Sequence, residues 1–149
     1  FWERVYEPLI RRAAGLGTLE ASAEAVPYEK AWAFCDLLVI GAGPAGLAAA
    51  LAGGRAGAKV ILADEGARMG GRLLAETDPV GGAAPHLWAA QAVAELAAMP
   101  NVRLMPRTTV TGAYDGGTFG ALERVGLHLA PAPDLPRECF WRIVERLAV

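Results

Sequence analysis

The chain has 149 residues, 54% hydrophobic and 20% charged, with a formal net charge of −2. That balance supports one domain with a real core and gives no electrostatic case for nucleic acid. No apolar run reaches membrane-spanning length, since the longest candidate, residues 37–53, is broken by glycines and a proline. No signal-peptide pattern opens the chain, so a cytoplasmic protein is expected.

Residues 1–36 read as an arm or linker lying on the following domain or on a neighbour. Pro8 suits a first helical turn, Leu9, Ile10, Ala13 and Ala14 give it an apolar face, and Gly15-Leu16-Gly17 ends it. Ser22 to Glu29 reads as a loop. Phe1, Trp2, Tyr6, Trp32 and Phe34 are expected to be packing residues rather than ligand-stacking ones. Cys35 and Cys139 are far apart and outside any metal spacing, so two reduced, buried thiols are expected.

The run Leu37-Leu38-Val39-Ile40 stops at Gly41-Ala42-Gly43-Pro44-Ala45-Gly46, and an alanine-rich helical stretch follows to Arg55-Ala56-Gly57. This is strand, tight turn and helix start, so residues 37–149 read as a dinucleotide-binding domain of the Rossmann-like FAD/NAD(P) type, α/β with a parallel sheet. Gly41 lets the chain turn, Gly43 lets backbone approach a diphosphate, and Gly46 lets helix pack against strand. The phosphates then meet unpaired amides at the positive end of the helix dipole.

Lys59 to Ala63 is a second β-branched run, ending in Asp64-Glu65. Asp64 lies about twenty residues beyond the glycines, where a carboxylate meets the adenosine ribose. A 2′-phosphate at about 4 Å from such a charge, at an effective dielectric near 20, is repelled by about 4 kcal/mol per pair of unit charges. NADP is therefore disfavoured, while NAD and FAD are not separated. Gly70-Gly71 allows a further close backbone approach, with Arg68 or Arg72 placed to neutralise diphosphate charge.

Pro79 to Pro85 is turn material, and His86 to Met99 has helical spacing closed by Pro100-Asn101. Val102 to Met105 is a third strand. Thr108 to Tyr114, the turn Asp115-Gly116-Gly117 and Thr118 to Val125 form a hairpin, the start of a β-meander crossing the sheet. After the proline-rich link Leu129 to Pro136, Phe140 to Val149 begins another strand-like segment. His86 and His128 read as surface residues. No nucleophile–base pair, metal cluster or carboxylate dyad appears, so no catalytic residue is expected: the chemistry belongs to the cofactor.

The chain resembles the α subunit of the heterotetrameric sarcosine oxidase family. The likeness rests on Tyr6-Glu7-Pro8-Leu9-Ile10-Arg11, Ala13-Ala14-Gly15-Leu16-Gly17, Tyr28-Glu29-Lys30 and Phe34 to Leu47. It continues through Gly70-Gly71, Pro100-Asn101-Val102, and Thr109-Val110 with Gly112, Tyr114 and Asp115. The resemblance implies an NAD-binding segment, without substrate-oxidising residues, of an enzyme that demethylates sarcosine to glycine and makes hydrogen peroxide. It also implies FAD and FMN elsewhere in that enzyme, β, γ and δ subunits as partners, and tetrahydrofolate as acceptor at a C-terminal domain. The nucleotide contacts it implies fall on Ala45, Asp64, Glu65, Arg72 and, near the adenine, Val110.

Such subunits are much longer, and the start at Phe1 and the unfinished strand region at the end suggest a piece cut before its sheet is complete. Relatives often carry a basic or polar residue where this chain has Gly66, which puts one ribose or phosphate contact in doubt. Two alternatives remain open. One is an FAD-binding part of another amine-oxidising or disulfide-reductase-like flavoprotein, to which Gly70-Gly71-Arg72 is also suited. The other is a scaffold module with a vestigial pocket.

Overall fold

The apolar runs become short strands, and their flanking glycines and prolines become the turns. The computed structural model describes residues 2–15, 28–130, 132 and 135–146. A π-helical turn, Trp2–Tyr6, runs into helix α1 (Glu7–Ala13), followed by β1 (Tyr28–Cys35), β2 (Leu37–Ile40) and α2 (Pro44–Arg55). Next come β3 (Val60–Ala63), a 3-10 turn at Gly71–Leu74, α3 (Pro85–Ala98) and β4 (Val102–Met105). β5 (Thr108–Tyr114), β6 (Thr118–Glu123) and β7 (Glu138–Glu145) complete the order.

β2, β3 and β4 make a parallel sheet with β3 in the middle. All four residues of β3 are buried, as a strand covered on both faces requires. Its alternation sorts the core into two clusters. Val60 and Leu62 face the helices, meeting Leu47, Ala50 and Leu51 of α2 and Ala89, Ala92 and Leu96 of α3. Ile61 and Ala63 face a second sheet, meeting Ala33, Cys35, Ala121 and Ile143.

That second sheet has the order β1-β7-β6-β5. β5, β6 and β7 pair antiparallel in sequence, so the expected meander is present, and β7 is its third strand. The layers are tied by specific bonds. Trp141 on β7 donates its indole N–H to Glu123 at 2.7 Å, and Arg103 of β4 lies 4.2 Å from the Trp141 ring centre. Asn101 donates its amide to the carbonyls of Gly54 and Ala58 at 2.9 and 2.7 Å, fixing the end of α2 to the start of β4. Arg55 and Glu95 form a two-pronged ion pair between α2 and α3.

Two expectations for the first 36 residues need correction. Tyr28–Cys35, expected to lie in the arm and partly in a loop, forms an edge strand of the second sheet, parallel to β7. Its period of two is hidden in the sequence because both faces are apolar: Ala33 and Cys35 point inward, Trp32 and Phe34 outward. Trp32 and Phe34 are therefore not core residues. They are 58% and 54% exposed and stack on each other at 6.3 Å, with Arg142 and Arg146 over their rings.

Trp2 and Tyr6 likewise stack at 5.7 Å on an exposed helix with no buried residue. Gly15 does end α1, with φ +66°. Phe1, Leu16-Gly17 and the expected loop from Ser22 to Pro27 lie outside the described residues. Cys35 and Cys139 are both free and buried. Burial, with Glu145 and Asp36 nearby, pushes the Cys35 thiol up to about 11, so it stays protonated and poorly nucleophilic at neutral pH. Among the described residues no helix is long and apolar enough to cross a membrane.

Candidate dinucleotide-binding site

The three glycines at the end of β2 do three different things in space. Gly41 has φ +94°, a left-handed conformation that a side chain resists. A Cβ on Gly46 would sit 1.8 Å from the carbonyl oxygen of Gly41, so this glycine is what lets α2 close against the strand end. A Cβ on Gly43 would meet nothing within 4 Å. The elbow is closed behind and open in front.

The open side carries the donors. Gly43 is the N-cap of α2 and Pro44 its first residue, where the missing N–H costs nothing. The first helical bond runs from the Leu47 amide to the Gly43 carbonyl, 2.9 Å, so the amides of Gly43, Ala45 and Gly46 have no partner within the helix. Unpaired amides at the positive end of a twelve-residue helix, with space above Gly43, fit a diphosphate.

The second glycine pair folds onto the first. The Gly70 amide donates to the Ala42 carbonyl at 2.8 Å, and a Cβ on Gly71 would lie 2.9 Å from the Gly43 Cα. Only bare backbone fits there. Arg72, on the turn that follows, is exposed and paired to Glu76 at 3.0 Å; Arg68 is also exposed.

The Asp64 carboxyl points at the elbow. Its Oδ2 accepts the Ala42 amide at 2.6 Å and its Oδ1 accepts the Gly66 amide at 2.7 Å. Both oxygens are thus engaged by main chain, and Asp64 braces the glycine turn to the loop after β3. Glu65 is exposed, and its main-chain carbonyl is held by Arg124 Nη2 at 2.5 Å.

Val110 lies on β5 and packs against the second core cluster. The buried Thr108, two residues earlier, bonds its amide to the Asp64 carbonyl at 2.8 Å, which brings the start of β5 to the end of β3. His86 is exposed at the start of α3, and His128 is exposed beside Leu127 and Arg124. Among the described residues no group of three or more His, Cys, Asp or Glu is placed to hold a metal ion. A concavity of about 780 Å³ lies on the outer face of the second sheet between Trp32, Tyr114, Phe140 and Arg142 and shares no residue with the elbow.

Asp64→Asn is expected to cost about 1–3 kcal/mol of stability, because an amide NH2 then faces one of two donor amides. Urea denaturation measures it, and dinucleotide affinity should fall in parallel. An unchanged unfolding curve would remove the bracing role.

The model of the NAD(P)-binding Rossmann-like domain family matches residues 39–107. The sarcosine oxidase subunit alpha of Rhizobium meliloti (strain 1021) is 58% identical over 96% of this chain, and that of Corynebacterium sp. (strain P-1) is 41% identical over 87%. The chain spans 15% and 14% of those two proteins. Among solved structures, L-proline dehydrogenase from P. horikoshii aligns over 80% of this chain and 22% of its own, with a TM-score of 0.59 at 20% identity, a likeness of fold. The chain is a relative of the sarcosine oxidase α subunits, and its glycine elbow lies within the residues that match the NAD(P)-binding Rossmann-like domain.

Proposed function

We propose that this chain is the NAD-binding part of the α subunit of a flavin-dependent sarcosine oxidase. The observation that carries the nucleotide part is the contrast between Gly46, packed onto the Gly41 carbonyl, and Gly43, open above a row of unpaired amides. The identity of 58% to a protein of that name supports the oxidase part. In this reading the diphosphate lies over Gly43, Ala45 and Gly46 and against Gly70-Gly71. The ribose hydroxyls bond to Glu65 and to the free lone pairs of Asp64. Arg72 exchanges Glu76 for phosphate, and Val110 lies near the adenine.

In the complete enzyme a flavin, FAD or FMN, bound outside this segment would supply the two-electron oxidation of sarcosine to glycine with oxygen as acceptor, giving hydrogen peroxide. Tetrahydrofolate at another domain would take the one-carbon unit. This chain's residues bind and orient a nucleotide. Its partners are the β, γ and δ subunits, and its compartment the cytoplasm.

The contact of Gly71 with Gly43 suits a second reading, FAD in this segment, as well as the first, because the same bare backbone serves any adenosine diphosphate. Releasing the nucleotide from the intact α subunit and recording its absorption decides between them. NAD alone supports the first reading and a flavin band the second. A protein that carries no nucleotide and binds none on titration is a scaffold with a vestigial pocket.

A further inference from the structure

The loop that follows β3 is held through three consecutive carbonyls. Thr108 donates its amide to the Asp64 carbonyl at 2.8 Å, and Arg107 donates its amide to the Gly66 carbonyl at 2.9 Å. Between them, the Glu65 carbonyl accepts from Arg124 Nη2 at 2.5 Å, the one side-chain bond of the three. Arg124 is the residue after β6, and its own amide donates to the Arg107 carbonyl at 3.0 Å. The meander therefore grips, from behind, the loop that carries both acids.

Two features of this grip run against stability. Arg107 has φ +54°, the one non-glycine residue at positive φ among those described. The Nε of Arg124 is buried with no acceptor. Each costs free energy that a glycine at 107 or an apolar side chain at 124 would not. Backbone strain and an unpaired buried donor, gathered at one loop, mark a loop whose position serves something other than the fold. Asp64 needs no such help, because its carboxylate is clasped by the Ala42 and Gly66 amides. Glu65 is exposed and has no such clasp among the described residues; the bond from Arg124 to its carbonyl fixes its main chain.

We propose that Arg124 is a positioning residue for nucleotide binding. By holding the Glu65 carbonyl it sets where the Glu65 carboxylate stands, and so ties ribose binding to the β-meander. The proposal rests on the dinucleotide reading above, in which Glu65 bonds the ribose hydroxyls. It adds that affinity depends on a side chain 59 positions away, acting through main chain and not on the ligand.

The test titrates NAD and FAD by calorimetry into the intact, nucleotide-stripped protein, as wild type, Arg124→Met, Glu65→Gln and the double variant. Arg124→Met should weaken whichever of the two wild type binds by about tenfold. Urea denaturation should find it as stable as wild type or more so, because the unpaired Nε is gone and the lost bond is exposed. In the Glu65→Gln background the same substitution should change affinity by less than about twofold, whereas a direct pull on the phosphates would cost the same in both. Arg124→Lys, which keeps a donor for the carbonyl, should bind more tightly than Arg124→Met. Unchanged affinity in Arg124→Met, equal losses in the two backgrounds, or a stability loss that matches the affinity loss overturns the positioning role and leaves the dinucleotide reading standing. A wild-type protein that binds neither nucleotide overturns both.

Discussion

Gly43→Val is expected to abolish nucleotide binding in the intact protein while leaving it folded. The new Cβ enters open space, and φ −75° with ψ −172° is extended backbone that valine adopts readily. The structural cost is confined to a poorer N-cap, about 1 kcal/mol. The same side chain occupies the open space above the amides of Gly43, Ala45 and Gly46. Losing two charge-assisted bonds at about 1.5–3 kcal/mol each weakens affinity at least a hundredfold. Urea denaturation and calorimetric titration on the same sample separate the two effects. Retained binding would show that the elbow is only a turn.

Gly46→Ala is expected to do the opposite: it damages the fold first. One methyl group placed 1.8 Å from the Gly41 carbonyl oxygen cannot be relieved by a rotamer, because the obstacle is main chain. The start of α2 must lift from β2, which disturbs the packing of Leu47 and Ala50 against Val39 and Leu62. The expected loss is about 3 kcal/mol, the upper end for an overpacked site. A variant as stable as wild type in denaturant titration would refute the packing role. Together the two substitutions separate, by stability alone, a glycine kept for a ligand from a glycine kept for the fold.

The elbow was legible because its signals are local and their order is fixed by covalent geometry. A strand, a residue able to turn left-handed, a helix start and a second acidic strand end follow one another in sequence. The brace made by Asp64 was not legible. That its oxygens would engage Ala42 and Gly66 depends on where the loop after β3 lies, and a ribose contact and a structural clasp ask for the same residue type. The bond from Arg124 to the Glu65 carbonyl was less legible still, because it spans 59 positions and Arg124 lies in no motif. β1 was missed for another reason: with Trp32 and Phe34 exposed and Ala33 and Cys35 buried, its apolar residues do not separate by polarity, and alternation carries no signal.

The pairing of β1 with β7 sets an order of events during synthesis. Tyr28 to Cys35 align with Glu138 to Glu145, so one strand leaves the ribosome over a hundred residues before its neighbour exists. At about 5–20 residues per second, Trp32 and Phe34 spend seconds beside an unfilled edge. Closing a parallel pair over so long a loop is slow by topology alone. A nascent chain halted before β7 has emerged therefore presents a sticky, half-built surface, and chaperone capture should concentrate on that interval.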